Sequence, residues 1–211
     1  MGIDSTFTAP RRTDFVVVVN GDLCAPCQAV MPHVTEEHSV AGLIDLQSAR
    51  SGETITLLQR SLNQGMDFAA HNTTLTWLQH IGRFRRYKYF IFLNSSVRGP
   101  FFPSFMPPQW HWTRGYTDQL RGELKLVGAS LVCLPTIDHG GHGPKIESWT
   151  FAVEPHTLRL LTEAGVFSVR TEKFGMGGVV IAGEYGLSNL LMRRGVAASL
   201  VICAACCCCA F

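Results

Sequence analysis

Two long apolar runs, each closed by short polar residues, constrain the fold of this chain more than any other feature. The first, DFVVVVNGD at residues 14–22, is β-branched and ends in a turn-forming string. The second, YKYFIFLNSS at residues 87–96, is aromatic and ends in an amide and two hydroxyls. Apolar runs of this length, bounded by turn residues, are typical of buried strands in parallel sheets.

Helical patterns alternate with further strand patterns along the chain. The predicted strands are VAGLIDLQ (40–47), TITLLQRS (54–61), KLVGASLVCLP (125–135) and IESWTFAVE (146–154). The predicted helices are NTTLTWLQHIGRF (72–84), capped by Asn72 or Thr73, PHTLRLLTEAG (155–165) and a last helix opened by Glu184. This alternation predicts an α/β fold: a single Rossmann-like domain with a mostly parallel central sheet flanked by helices.

Composition sets the domain limits and excludes one class of partner. Hydrophobic residues make up 46% and charged residues 16% of 211 residues, which indicates a well-buried globular domain. We predict a disordered segment at 1–13, one domain at 14–196 and a non-homologous, Cys-rich apolar tail at 197–211. The formal net charge is +2 and no dense Lys/Arg stripe is present, so nucleic acid is not an expected partner.

The ends of the chain carry weak targeting signals. The N-terminus is polar, which does not fit a signal peptide, and MGIDST fits the short pattern for N-myristoylation. A palmitoylated tail is the alternative to a non-homologous one. Membrane association through a lipidated tail or a missing N-terminal anchor is therefore left open.

Polar side chains gather where a parallel sheet would place a ligand, at the carboxyl ends of its strands. A further polar stretch, NQGMDFAAHN at residues 63–72, combines Asn, Gly and Asp immediately before the predicted helix at 72–84. The candidate binding residues are Asn20, Asp22, Asn63, Gly65, Asp67, Asn94 and Ser95. The alternatives are ordinary local roles: a helix-capping carboxylate for Asp67, and turn residues for Asn20, Asp22 and Asn94.

Five segments occur in a familiar order over residues 14–196: FVVVVNGD, NQGMDFAAHN, YFIFLNSS, WTFAVEPHTLRLLTEAGVF and GEYGLSNLLMRRG. Their order resembles that of GT-A type nucleotide-sugar glycosyltransferases, and is similar to a branch linked to rhamnan-type polysaccharides. The resemblance implies an enzyme that moves a sugar from a nucleotide-sugar donor to a glycan or other hydroxyl acceptor. The alternative is a catalytically inactive relative that binds glycans or supports a synthase.

The resemblance also implies roles for single residues. Glu184 would be the general base that deprotonates the acceptor; its alternative is to complement the dipole at a helix N-terminus. Asn94, Ser95 and Ser96 replace the family's acidic metal-binding motif with neutral groups, so a divalent cation is not favoured as a cofactor. Arg98 and the helix N-terminus near Asn72 would then hold the donor's diphosphate.

The glycine-rich loop DHGGHGPK and the aromatic segment before it complete the predicted site. His142, Lys145 and Trp110 are candidates for an acceptor or phosphate loop; the alternatives are solvated side chains and a core-covering aromatic lid. His139 and His142 have a spacing that zinc can use, although two ligands are too few for a typical site. Cys24 and Cys27 in CAPC leave a thiol oxidoreductase as a weaker alternative. An endomembrane location such as the Golgi is expected if full-length relatives are anchored, and a cytoplasmic one otherwise.

Overall fold

The computed structural model describes residues 13–20, 44–47, 54–60, 64–97, 104, 107, 110–133, 139, 141, 143–168, 175–195 and 197–200. The chain divides into two compact units, residues 1–62 and residues 63–211. Each unit is described by itself below.

The first unit contains a mixed three-stranded sheet. Its strands are β1 (Phe15–Asn20), β2 (Ile44–Gln47) and β3 (Thr54–Arg60), in the order β1-β3-β2. β1 runs parallel to β3, whereas β2 runs antiparallel to it. The three predicted strands are therefore confirmed, but β1 is not the fully buried strand expected, because its residues are half-buried and Val17 is exposed.

The second unit carries every described helix. The helices are α1 (Met66–His80), a 3₁₀ helix (Phe84–Arg86), α2 (Arg114–Thr117), α3 (Pro155–Glu163), α4 (Gly175–Gly178), a π-helix (Val179–Tyr185) and α5 (Gly186–Arg193). The last three follow one another without a break. The π-helix is thus an insert of wider turns between two α-helical segments, a feature often found at functional sites.

Two further sheets lie in the second unit. The larger one has the order β4-β8-β5-β9, and the smaller one pairs β6 with β7. The bounds are β4 (Phe90–Leu93), β5 (Leu124–Gly128), β6 (Leu131–Cys133), β7 (Pro144–Ile146), β8 (Thr150–Val153) and β9 (Ala197–Leu200). β9 consists of the first residues of the segment predicted as a tail, and it pairs with β5.

The predicted Rossmann-like domain with a mostly parallel sheet is wrong. Of the six strand pairings among the described residues, four are antiparallel and two are parallel. β8 runs antiparallel to both of its neighbours, β4 and β5. The prediction failed because an apolar run reports burial and not direction, so the pattern fits either kind of sheet.

Three local predictions also need correction. α1 begins at Met66, so Asn72 and Thr73 lie inside the helix and neither caps it. The run at 125–135 holds two strands in different sheets, β5 and β6, separated by two residues. Glu184 does not open a helix, because it lies near the end of the π-helix. α3 is confirmed, with Pro155 as its first residue.

The core of the second unit is an aromatic stack. Phe92 of β4 lies opposite Phe151 of β8, with ring centroids 4.8 Å apart, and Phe167 stacks on Phe92 at 5.4 Å. Phe68 of α1 reaches Phe167 at 5.9 Å. Phe68, Phe151 and Phe167 are fully buried. Each such ring pair adds about 0.5–1.5 kcal/mol beyond its burial, so the stack ties α1 to both strands.

None of the helices in the described part of the chain is long and apolar enough to cross a bilayer.

Packing of the π-helix against α1 gives a steric prediction. A methyl group at Gly183 would overlap the buried ring of Phe68. Because that ring is held on several sides, Gly183→Ala should cost about 1–3 kcal/mol of unfolding free energy, measured by urea denaturation.

Gly186 provides the matched control. A Cβ there would meet Val166 at 3.7 Å, which is ordinary van der Waals contact. Gly186→Ala should be neutral, or stabilising by up to about 1 kcal/mol, because glycine is a poor helix former. Equal effects of the two substitutions would contradict the packing described for the π-helix.

Candidate functional site

Asp67 and Asn94 come together although 27 residues separate them. Asp67 lies in the first turn of α1, and its Oδ2 accepts a hydrogen bond from Asn94 Nδ2 at 3.3 Å. Its Oδ1 accepts from the backbone N–H of Phe68 at 3.0 Å. α1 starts abruptly because Gly65 adopts a left-handed backbone, with φ 70°, that glycine accepts without strain. Asp67 therefore projects at a helix start that has no side-chain cap.

Asn94 performs the local role that its position at a strand end suggests. Its Oδ1 accepts from the N–H of Ser96 at 2.9 Å, and its carbonyl accepts from the N–H of Val97 at 3.2 Å. Its own N–H donates to the carbonyl of Trp149 at 3.1 Å, which extends the β4–β8 pairing by one residue. Asn94 is therefore a turn residue whose side-chain amide also reaches Asp67.

Glu184 is held by three donors. Its Oε2 accepts from Lys145 Nζ at 2.9 Å, and its Oε1 accepts from the N–H and Oγ of Ser148 at 3.0 and 3.1 Å. The side chains of Lys145 and Glu184 are only 9% and 12% exposed. Because both charges are largely removed from water, each depends on the other for compensation. Lys145, predicted for a phosphate loop, is thus the direct partner of the predicted base.

The two pairs belong to one region of the second unit. Ser148, which binds Glu184, directly precedes Trp149, whose carbonyl binds Asn94. On the other side, Gly183 packs on Phe68, the residue after Asp67. Glu184 and the Asp67–Asn94 pair are therefore connected through Ser148 and Trp149 and through Gly183 and Phe68.

The other predicted residues are placed as follows. Ser95 is exposed in the turn after β4. Trp110 is half-buried, and its backbone N–H donates to the carbonyl of Pro107 at 2.9 Å. Asn20 belongs to the first unit, where its Oδ1 accepts from Arg60 at 2.9 Å. The predicted residues outside the described part of the chain are Asp22, Asn63, Arg98 and His142, together with Cys24 and Cys27.

The polar groups of this region are the carboxylates of Asp67 and Glu184, the Asn94 amide and the Lys145 ammonium. Glu184 compensates the charge of Lys145. Among the described residues, no group of three His, Cys, Asp or Glu side chains is arranged to hold a metal ion. The region can donate to and accept from hydroxyl groups through Asp67 and Asn94. It can also offer Lys145 to an anion that displaces Glu184, which would release a buried carboxylate as a base.

Sequence patterns missed two supporting serines and a histidine. Ser188 Oγ accepts from the N–H of Ile146 at 2.8 Å and lies one turn after Glu184, so it helps to fix the π-helix on β7. Ser148 stands at the start of a strand pattern and carries no motif. No sequence signal distinguishes such serines from surface hydroxyls.

His71, one turn after Asp67 in α1, is the unexpected member of the region. Its ring lies edge-on to Phe92 at 4.8 Å, and its buried Nε2 has no hydrogen-bond partner within the described structure. Burial lowers the pKa of His71 to about 4, and the Asp67 carboxylate opposes that shift. The ring is therefore neutral at pH 7, and its orphan nitrogen needs a physical explanation such as a bound water.

A cleft lies elsewhere in the second unit. It has a volume of about 640 Å³ and is lined from the far end of α1 and from α3, including Gln79 and Glu163. Twelve residues of helix separate Asp67 from Gln79, or about 18 Å along the axis. The assignment of the polar region around Glu184 as a site therefore rests on the hydrogen bonds between its side chains and not on this cleft.

No protein-family model matches the chain, and no curated protein or solved structure matches it either.

His71 predicts a dependence of stability on pH. The unfolded ring takes up a proton below its ordinary pKa near 6.5, whereas the folded ring does so only below about 4. The unfolded state therefore binds more protons in that window, and stability should fall as pH drops from 6.5 to 4 by on the order of 3 kcal/mol.

His71→Phe should remove this part of the pH dependence, because a phenyl ring suits the aromatic surroundings and does not titrate. The measurement is urea denaturation at a series of pH values from 7 to 4. His80→Gln, at the exposed end of α1, should leave the slope unchanged. An unchanged slope in His71→Phe would show that the ring is not buried as described.

The Lys145–Glu184 pair predicts a coupling energy. Lys145→Met leaves a buried carboxylate without its cation and should cost about 3–5 kcal/mol, whereas adding Glu184→Met should restore part of the loss. Lys125→Met is the control, since Lys125 and Glu154 are 32% and 26% exposed and their pair should contribute about 0–1 kcal/mol. Additive losses at Lys145 and Glu184 would rule out a coupled pair.

Proposed function

We propose that this chain transfers a sugar from a nucleotide-sugar donor to a hydroxyl group of a glycan or other acceptor. One observation carries the proposal. Asp67 and Asn94, two of the residues that the glycosyltransferase resemblance selects, are hydrogen-bonded to each other, and Glu184 binds Ser148, the neighbour of the Trp149 whose carbonyl accepts from Asn94.

The proposed reaction needs a base, a cation and hydroxyl contacts. Glu184 removes the proton of the acceptor hydroxyl, and the acceptor oxygen forms a bond to the anomeric carbon of the donor sugar. The bond from that carbon to the diphosphate breaks, and the nucleoside diphosphate leaves with the electron pair. A single in-line displacement of this kind inverts the anomeric carbon.

In the proposed reaction, Glu184 must leave Lys145 before it can act as the base. The donor's diphosphate carries more negative charge than a carboxylate and would replace Glu184 as the partner of the Lys145 ammonium. Glu184 would then lose its counter-ion within a poorly hydrated site, which favours uptake of a proton. Asp67 and Asn94 would bind hydroxyl groups of the donor.

A catalytically inactive, glycan-binding protein is the second candidate. The observation in its favour is that Glu184 already has hydrogen bonds to both carboxylate oxygens, as expected of a structural clamp. The two candidates differ in what Glu184→Gln does. That substitution keeps the shape and an acceptor oxygen for Ser148 but cannot take up a proton.

The test combines a binding panel with a transfer assay. UDP-, GDP- and dTDP-sugars, each with and without Mn²⁺, should include at least one that raises the melting temperature by mass action. Release of the nucleoside diphosphate is then measured with that donor. Glu184→Gln should lower turnover about 10²–10⁴-fold while the donor still binds.

Glu123→Gln, the same chemical change at an exposed turn, should behave as the wild-type chain. Full turnover in Glu184→Gln would remove Glu184 as the base. A donor that binds but is neither hydrolysed nor transferred would favour the inactive protein. Stabilisation seen only with Mn²⁺ would contradict the expectation that no divalent cation is needed.

A further inference from the structure

The cleft at the far end of α1 has two walls of different origin. One wall is the end of α1 with the 3₁₀ helix, and the other is one face of α3. The side chains that matter for binding are Gln79, Phe84 and Arg85 on the first wall, and Arg159, Thr162 and Glu163 on the second. Its volume of about 640 Å³ is within the range of ligand sites.

Two arginines and one glutamate line this cleft. Within the described part of the chain, neither Arg85 nor Arg159 makes an ion pair or a side-chain hydrogen bond. Arg83 and Arg86 flank Arg85 in sequence, and Glu163 is the opposing charge in the lining. For a chain with a net charge of +2, this clustering is a local excess that an anion would relieve.

The remaining lining groups are suited to more than a bare anion. Phe84 stacks on Phe90, with centroids 4.9 Å apart, and remains half-buried at the cleft. Thr162 donates its hydroxyl proton to the carbonyl of Leu158 at 2.8 Å, so its oxygen can still accept. Together with the Gln79 amide, these groups offer an apolar edge, an acceptor and donors, as a sugar ring requires.

We propose that the cleft binds an acidic oligosaccharide, with the guanidinium groups of Arg85 and Arg159 each holding a carboxylate. This inference rests on the proposed function, for which it supplies the acceptor class: a carboxylate-bearing glycan chain. The glycan would occupy this cleft while its reacting end lies at Glu184. Because α1 spans roughly 18 Å between Asp67 and Gln79, an acceptor that reaches from the cleft to Asp67 must be extended.

Two features favour a chain of separated carboxylates over a compact phosphate. The arginines stand on opposite walls, so a ligand with spaced charges can reach both at once. Glu163 in the lining and the negative end of the α1 dipole disfavour a dense negative charge. Planar guanidinium groups bind carboxylates bidentately, which gives such a ligand direction as well as affinity.

The test is direct titration calorimetry without any donor, using tetragalacturonate as the probe. The whole chain should bind it with an affinity that falls as salt rises. Arg85→Gln/Arg159→Gln should weaken binding by at least about tenfold, the loss of one charge-assisted contact or more. Arg193→Gln/Arg194→Gln removes the same charge from exposed positions at the end of α5, and should change binding less than about twofold by comparison.

Three outcomes would overturn the proposal. These are equal weakening by both pairs of substitutions, binding of inorganic pyrophosphate in preference to tetragalacturonate, and equal binding of neutral maltotetraose. If the probe binds at the arginines but no donor sugar is transferred, the proposed transfer activity fails and the cleft site stands.

Discussion

The stacking of Phe92, Phe151 and Phe167 is the interaction on which the second unit depends. It fixes β4 against β8 in register, and Phe68 adds α1 to the same core. The polar region lies at the margin of this stack, because Asp67 precedes Phe68 and Asn94 follows Phe92 by two residues. Rigid aromatic rings therefore position two flexible polar side chains. His71 is in contact with the same rings, and burial among them lowers its pKa to about 4, so the ring is neutral at pH 7.

The second constraint is the buried charge of Glu184. Lys145 and Ser148 join the π-helix to β7 and to the residues after it. A pair of this kind is weak evidence for stability, since the desolvation of both ions offsets much of their attraction. The proposal adds a second state, in which a competing anion takes Lys145 and releases Glu184. The proposed transfer reaction uses this second state, and the inactive alternative keeps the pair closed.

Sequence reasoning predicted part of the candidate site. Asp67 and Asn94 were selected from their positions at a helix start and a strand end, and they are in contact. Glu184 was expected at the start of a helix, where it would meet a positive dipole end; in the π-helix it meets Lys145 and Ser148 instead. Ser148, Ser188 and His71 escaped prediction, because their roles come from neighbours far away in the chain. Arg159 is a further case, since only folding brings α3 opposite Arg85.

The sequence by itself determined several local elements: that the runs at 15–20, 54–60 and 90–93 form strands, that Pro155 starts a helix, and that a polar turn follows Leu93. These follow from backbone preferences and side-chain burial, which act over a few residues. Only the tertiary structure decided the direction of β8 between β4 and β5, the pairing of β9 with β5, and the partner of Glu184. Strand direction and buried ion pairs depend on contacts between distant segments, and the free energy that selects them is absent from any local pattern.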